Sequence, residues 1–452
     1  MKKVAFYVNN SRFRNIDCRN LVLGNPGMGG TPYLIILVAT ELAKRNNGID
    51  ITLFVDANGS FEEELYVVKV DNCLSAIKKA DDDAYDYIVV NSMYINWDNF
   101  DFKQITSNLK IIPWAHNFNK YSWNKIFFKE NKIAKFIAVS REQLDLLRDH
   151  SVFSKGDYIF NAVPYDKDAL HLSEIKPIKE RKHIVVYIGS LLWGKNFHVL
   201  ASIWPDIISC VPDAQLFVIG TGNLYNEKAV LGKYGLAPEP YESEFMKYLV
   251  NSTGEILPSV NFLGKMGLEK FDVLREAKVA VPNPRGTGET FCISAVEMQL
   301  MGCNVTSMKA PGYFDTVYSG VLTNNKKELK NSIINLLSAD SMIRSYDETL
   351  RYISDNFSIK SVIDDWEKLL LGDITNHIHP IEPIKNKNYR LKIIKEKIRT
   401  NHFLFKLFHF MPSIEYYISF MYYLLDLFSK ASKYKIFLYM IKNKLSGKSI
   451  QI

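Results

Sequence analysis

Two glutamates bracket a nearly neutral stretch of the chain, RGTGETFCISAVE at residues 285–297. Glu289 and Glu297 lie eight positions apart, the first behind a loop that contains glycines and the second inside an apolar run. At 3.6 residues per turn, eight positions leave the second carboxylate rotated by roughly 80° from the first. We therefore expect no close acid–base pair, but Glu289 just before a helix and Glu297 about two turns into it.

The start of that helix is suited to an anion. The backbone N–H groups of Phe291, Cys292 and Ile293 have no partner within the first turn, so a diphosphate can accept from them. Glu297 is costly to bury in an apolar run unless it accepts hydrogen bonds, which the hydroxyls of a ribose supply. A nucleotide with a second sugar near Glu289 accounts for the whole stretch, and a solvent-facing glutamate on an amphipathic helix is the alternative.

Other candidate side chains follow short apolar runs. In YIGSLLWGK a strand is expected to end at Gly189, with Ser190 next and Lys195 before a helix. A lysine there opposes the helix dipole, a conflict that a bound phosphate relieves. Gly220 ends the run FVIG, which fits a nearby nucleotide or a plain turn. Arg285 precedes the glutamate stretch and can add positive charge.

Two further candidates lie in the first third of the chain. The glycine cluster GNPGMGGTPY at 24–33 includes Gly29 and Gly30 and opens a predicted helix. Glycines there let a ligand approach the backbone, and the helix N-terminus favours anions. The alternative to a ligand-binding loop is a plain turn. His116 follows the run KIIPWA, at the carboxyl end of an expected strand. A lone histidine in that place is otherwise a surface loop residue.

The apolar runs that position these residues are typical of buried parallel strands, because they are continuous rather than alternating. They predict strands at 4–8, 51–55, 87–90, 110–114, 136–140, 158–163, 183–189, 215–220, 260–264, 278–283 and 304–308. Helical stretches such as 32–45 and 141–150 lie between them. The alternation occurs twice, which predicts two doubly wound α/β domains with ligands at the carboxyl ends of the strands.

Taken in order, these pieces resemble glycosyltransferase family 4, whose members are retaining enzymes of the GT-B fold. The stretch from Glu289 to Glu297 matches that family's glutamate-x7-glutamate motif, and YIGSLLWGK resembles its strand, phosphate loop and lysine. GMGG resembles its glycine loop, YIFNAV its segment between the domains, and His116 falls where it has an active-site histidine. The resemblance covers residues 1–372.

Three residues depart from the family pattern. Ser190 stands where the family usually has an arginine beside the diphosphate, and Thr290 and Cys292 replace the glycines of E-G-F-G. Lys195 is then expected to carry more of the phosphate charge, assisted by Arg285 or Lys265.

The resemblance implies a retaining transferase that moves a sugar from a nucleotide-sugar to a glycan or lipid-linked acceptor in cell-surface polysaccharide or lipopolysaccharide synthesis. No metal or other cofactor is expected, because lysine and backbone N–H groups supply the positive charge. An inactive transferase-like scaffold, or a nucleotide-sugar epimerase, is the alternative. The implied site comprises catalytic His116, Lys195 and Glu289, donor-binding Glu297, Ser190, Gly189, Phe291, Cys292, Ile293, Gly220 and Arg285, and acceptor-side Gly29 and Gly30.

Four segments are expected along the chain, the first three from the resemblance and the last from its composition. They are an acceptor-side Rossmann-like domain at 1–170, a nucleotide-sugar-binding Rossmann-like domain at 171–350, a crossover helix at 351–375 and a helical extension at 376–452. From Lys385 onward the chain has 14 lysines and arginines against three acidic residues, a net charge of +11. Because the whole chain carries +7, the preceding residues carry −4.

The extension joins basic to aromatic residues in segments at 388–400, 402–428 and 430–444. Charges and a proline interrupt every apolar stretch, so we expect no transmembrane helix. Basic residues beside Phe, Tyr and Leu are typical of a membrane-surface segment, and packing on the body or on a second copy of the chain is the alternative. We expect no nucleic-acid partner. Five scattered cysteines and an N-terminus without a signal peptide predict a cytoplasmic protein, at the inner membrane face if the extension binds lipid.

Overall fold

The computed structural model describes residues 1–403 except 46, 225, 227, 287, 381, 386–388 and 402. The chain divides into two compact units. The first consists of Met1–Leu144 and Lys155–Ile381, and the second of Asp145–Ser154 with the residues from Glu382 onward. Both sheets of the protein belong to the first unit.

The first sheet has seven parallel strands in the order β3-β2-β1-β4-β5-β6-β7. Its strands are β1 (Lys2–Val8), β2 (Ile49–Val55), β3 (Tyr66–Lys69), β4 (Tyr87–Asn91), β5 (Lys110–Ala115), β6 (Phe136–Ala138) and β7 (Gly156–Tyr158). The helices between them are α1 (Gly30–Arg45), α2 (Cys73–Asp82), α3 (Tyr121–Lys129) and α4 (Arg141–Asp145). The chain winds outward from β1 in both directions, which is the doubly wound arrangement.

The second sheet has six parallel strands in the order β10-β9-β8-β11-β12-β13. They are β8 (Lys182–Ile188), β9 (Gln215–Ile219), β10 (Val260–Gly264), β11 (Ala277–Ala280), β12 (Asn304–Met308) and β13 (Gly320–Thr323). Helices α5 (Phe197–Ala201), α6 (Trp204–Cys210), α7 (Tyr241–Met246), α8 (Lys270–Glu276), α9 (Ile293–Leu300), α10 (Pro311–Thr316) and α11 (Lys326–Leu337) alternate with them. The two doubly wound α/β domains predicted from the apolar runs are confirmed.

Two edge strands and one buried run differ from the sequence prediction. Strands β3 and β13 lie at sheet edges and are only partly buried, so their runs carry a weaker apolar signal. The run 158–163 is buried throughout but leaves the sheet after Tyr158. Its Val163 N–H instead donates to the Phe357 carbonyl oxygen at 2.8 Å. Burial alone therefore does not distinguish a strand from a buried connecting segment.

Two helices carry the chain back onto the first sheet. Helix α12 (Tyr346–Phe357) is followed directly by α13 (Ile359–Leu371). In α13 the Trp366 ring contacts the rings of Phe6 and Trp114 edge-on, with centroids 5.6 and 4.8 Å apart. Arg45 of α1 pairs with two carboxylates of α13 at 2.6 Å each. The first domain is therefore packed by a helix from the end of the second.

The second unit contains helix α14 (Tyr389–Thr400), which coincides with the first predicted segment of the extension. Lys392 pairs with Asp145 at 2.8 Å, and Glu396 pairs with Arg148 at 2.8 Å. The predicted segments 402–428 and 430–444 lie outside the described residues. Within the described part of the chain, no helix combines the length and apolar character needed to cross a membrane.

Candidate active site

A cavity of about 340 Å³ lies where the carboxyl ends of β8, β9 and β11 face the first domain. Such strand ends are where open parallel sheets bind ligands, and the volume is that of a small-molecule site. Residues from both domains line it. Among them are most of the residues singled out in the sequence: Gly30, His116, Gly189, Ser190, Lys195, Gly220, Glu289, Phe291, Cys292, Ile293 and Glu297.

Two predicted residues do not line this cavity. Arg285 is exposed on the loop after β11 and is absent from the lining, so the structure places its charge outside the cavity. Gly29 lines a neighbouring cavity instead. Lys265, the other cation considered for the phosphate, does line the cavity, at its exposed rim.

Glu289 is held by two side chains of the second domain. The Lys195 ammonium forms an ion pair with its Oε1, and the Asn283 amide donates to the same oxygen at 3.1 Å. Asn283 is itself buried and fixed, because its Oδ1 accepts from the Asn196 amide at 2.9 Å and from the Gly286 N–H at 3.2 Å. The loop after β11 therefore presents Glu289 in one orientation beside a lysine.

Glu297 has a partner that the sequence did not show. It lies on the buried face of α9, 3% exposed, and its Oε1 accepts from the Lys270 ammonium at 2.7 Å. Lys270 is itself only 6% exposed, at the first position of α8. No other donor of the described residues bonds the carboxylate, which leaves Oε2 for a ligand. The helix begins at Ile293, so Glu297 is just over one turn into it rather than the predicted two.

The ends of β8, β9 and β10 meet at a backbone junction. Gly189 donates to the Ile219 carbonyl at 3.0 Å, and Gly220 donates to the Gly264 carbonyl at 2.7 Å. Gly220 has φ of +141°, and a Cβ there would lie 1.9 Å from the Gly189 carbonyl oxygen. Only glycine fits at this position, so the floor of the cavity is bare backbone that a ligand can approach closely.

His116 faces the cavity from the first domain. The residue is 9% exposed, and its Nε2 has no hydrogen-bond partner among the described residues. Burial lowers the pKa of the imidazole to about 3, so the ring is neutral at pH 7. Its backbone carbonyl oxygen accepts from the Thr290 hydroxyl at 2.7 Å. Thr290 therefore ties the second domain to the backbone of the first.

Several polar residues of this cavity were not predicted from the sequence, among them Lys270, Asn283 and Asn161. Asn283 could have been found, because a polar residue directly after a buried strand in an α/β sheet points toward the ligand edge. Lys270 could not have been found from the sequence, because it begins a helix in a charged stretch and only the tertiary structure brings it to Glu297. Asn161 was hidden inside an apolar run taken for a strand.

A second cavity of about 430 Å³ belongs to the first domain alone. It is bordered by the start of α1, including Gly29 and Gly30, and by Arg12, Tyr94 and Asn117. Gly30 and Asn117 also line the first cavity. The predicted acceptor-side glycines therefore lie at the boundary of two adjoining spaces.

Comparison with known proteins identifies the second domain. Residues 182–339 match the family model described as glycosyl transferases group 1. An uncharacterized glycosyltransferase from Haemophilus influenzae is 20% identical over 403 residues, a region that covers 82% of this chain and all of that protein.

Solved structures share the architecture. AviGT4, a glycosyltransferase involved in avilamycin A biosynthesis, matches with a TM-score of 0.54 and 14% identity, over 82% of this chain and 99% of that chain. An Escherichia coli structure described as trehalose-6-phosphate bound with UDP-2-fluoro glucose matches with a TM-score of 0.56 and 9% identity, over 82% and 99%. At these identities the likeness concerns the fold, which is GT-B. With the group 1 domain, it defines this protein as a glycosyltransferase of the GT-B type.

Proposed function

We propose that the protein is a retaining glycosyltransferase that moves a sugar from a nucleotide-sugar to a glycan or lipid-linked acceptor in cell-surface polysaccharide synthesis. The observation that carries the proposal is the shared cavity, which brings Lys195, Glu289, Glu297 and the start of α9 to one place. Each component of a nucleotide-sugar meets a matching group there. The alternative of an inactive scaffold gives no reason for so many polar groups to converge on one cavity.

The ribose belongs on Glu297. Its Oε2 can accept from ribose hydroxyls while Lys270 holds Oε1 in place. Hydrogen bonds to a charged acceptor contribute about 1.5–3 kcal/mol each. Lys270 also offsets the negative charge of the buried glutamate through this ion pair.

The diphosphate belongs between Lys195 and the start of α9. Cys292 caps this helix without a side-chain hydrogen bond, and the first turn has no acidic residue, so its N–H groups remain available to an anion. Negative charge grows on the leaving diphosphate as the glycosidic bond breaks. Lys195 and these N–H groups stabilise that charge in the transition state.

The ion pair between Lys195 and Glu289 couples binding to positioning. A diphosphate competes with Glu289 for the ammonium group, and Asn283 keeps the carboxylate in place when the lysine turns to the phosphate. Glu289 is then directed at the donor sugar, where its charge supports positive character at the anomeric carbon. His116 contacts the same sugar from the first domain, and the acceptor enters through the second cavity beside Gly29.

The proposal makes the reaction independent of added metal, because protein groups supply the positive charge at the diphosphate. Turnover is therefore expected to persist in excess EDTA. Loss of activity in EDTA with recovery on adding Mg²⁺ or Mn²⁺ would contradict this part of the proposal.

Release of nucleoside diphosphate from a panel of nucleotide-sugars tests the function, with UDP-sugars first because a structural neighbour was solved with one. Wild type should release nucleotide from one donor class, and Lys195→Met should slow release by roughly 10²–10³-fold, as expected for loss of a group that stabilises developing charge. The matched control is Lys247→Met, which removes a half-exposed lysine of the same domain that pairs with Glu244. Equal rates in the two variants would reject the assignment of Lys195.

A further inference from the structure

The two walls of the donor cavity differ in charge. Among the described residues that line it, all lysines and glutamates belong to the second domain: Lys195, Lys265, Lys270, Glu289 and Glu297. The first domain contributes only glycine, apolar and uncharged polar side chains, and His116 is neutral there. The phosphates and ribose are therefore matched to one wall, and the other wall has no charged side chain of its own.

The uncharged wall contains two buried polar atoms that lack a partner. Asn161 is 4% exposed, and its Oδ1 accepts no hydrogen bond from any described residue. The Nε2 of His116 also has no hydrogen-bond partner among the described residues. Buried polar atoms in proteins are almost always hydrogen-bonded, because leaving one unsatisfied costs free energy. Both residues line the donor cavity, so a ligand bound there is positioned to satisfy them.

We infer that Asn161 is a further donor-sugar-binding residue and that, together with His116, it selects a nucleotide-sugar whose sugar is uncharged, a hexose or N-acetylhexosamine rather than a hexuronic acid. This inference rests on the proposed function. An amide oxygen accepts only from a donor, which a hydroxyl or acetamido N–H provides. A carboxylate offers no proton at neutral pH and would be desolvated against a wall without a cation.

One cation does approach that wall. Lys265 of the second domain crosses to Gly27, where an added Cβ would lie 2.6 Å from the lysine Cε. Lys265 is exposed at the rim, so water screens its charge. Because Asn161 and His116 are buried and Lys265 is exposed, we expect this lysine to compensate a carboxylate placed between them only weakly.

The test compares the affinities of the intact protein for UDP, UDP-glucose and UDP-glucuronic acid. The sugars of the last two ligands differ only at C6. The same comparison is made with GDP, GDP-mannose and GDP-mannuronic acid if GDP is the nucleotide that binds. The neutral sugar form should bind at least about tenfold more tightly than the uronate, as expected when a buried site leaves a charge unpaired. Equal affinities for the two would overturn the inference while leaving the proposed function intact.

Variants separate a ligand role from a structural one. Asn161→Ala should weaken the neutral nucleotide-sugar by about five- to tenfold, the loss of one or two neutral hydrogen bonds, and leave the affinity for the free nucleoside diphosphate unchanged. The control is Asn304→Ala, which removes a buried asparagine bonded to Ser341 and Ile343 outside the cavity. Equal weakening of nucleotide and nucleotide-sugar by Asn161→Ala would show that the residue only supports the fold. Failure of every nucleoside diphosphate to bind would reject the proposed function and this inference with it.

Discussion

Replacing Lys270 by methionine probes the buried pair that underlies the ribose site. The change keeps the volume of the side chain but leaves the Glu297 carboxylate, 3% exposed, without its ammonium partner at 2.7 Å. Removing one member of a buried ion pair costs about 3–5 kcal/mol. A domain of 150–250 residues loses about 2–4 °C in Tm per kcal/mol, so the Lys270→Met protein should melt roughly 6–20 °C lower.

The double variant tests whether the uncompensated charge causes that loss. Lys270→Met with Glu297→Gln removes both charges, and its Tm should return most of the way to wild type. Lys135→Met is the matched control. Its ion pair with Asp157, at 3.6 Å, is equally buried but lies outside the donor cavity.

Thermal unfolding and nucleoside diphosphate affinity are measured on all four proteins. Lys270→Met and the double variant should bind nucleotide more weakly, while Lys135→Met should lose stability and keep its affinity. A fall of less than about 2 °C for Lys270→Met, or a double variant no more stable than the single one, would refute the argument from charge burial.

Three further predictions follow from single contacts. Burial lowers the pKa of His116 to about 3, from about 6.5 in the unfolded chain, so the unfolded state binds more protons between those pH values and the folded state loses stability on acidification. From pH 7 to pH 5, the free energy of unfolding of wild type should fall by about 2 kcal/mol more than that of His116→Gln. An equal fall in the two proteins would contradict this. Gly220→Ala should lower the free energy of unfolding in urea by about 3 kcal/mol or more, because its Cβ would clash with backbone. Gly235→Ala, at φ +70° in open space, should lower it by only about 1 kcal/mol. Similar losses in the two variants would refute the clash. Thr290→Val should lower the unfolding free energy by about 1 kcal/mol through loss of the hydrogen bond to the His116 carbonyl, while Thr290→Ser keeps that bond. A Thr290→Val protein as stable as wild type would contradict this contribution.

The fold could be predicted from the sequence because parallel strands buried on both faces are continuous apolar runs. Ten of the eleven predicted runs coincide with strands, and helix α1 begins within two residues of its predicted start. The edge strands β3 and β13 were not predicted, because one side of each is open to solvent and their apolar runs are therefore weaker. The predicted helix at 141–150 ends at Asp145, whose carboxylate accepts a hydrogen bond from the Arg148 side chain at 2.8 Å.

Part of the candidate site could be predicted from the local sequence. Lys195 and Glu289 lie in loops after strands, Glu297 lies in the apolar run that follows, and the structure brings all three to one cavity. The ion pairs of these residues could not be predicted, because the pairing of Lys270 with Glu297 depends on how α8 and α9 pack. Arg285 is close to Glu289 in sequence, but its side chain is exposed on the loop and does not line the cavity.

The central claim is that the cavity between the two sheets is a nucleotide-sugar donor site. Its most direct test is thermal unfolding of the wild-type protein with UDP, GDP, ADP and CDP, repeated with Glu297→Ala. A ligand present at about 100 times its Kd adds about 2.7 kcal/mol of stability. We predict that one nucleotide raises the Tm of wild type and has little effect on Glu297→Ala. No rise with any nucleotide, or an equal rise in the variant, would contradict the account.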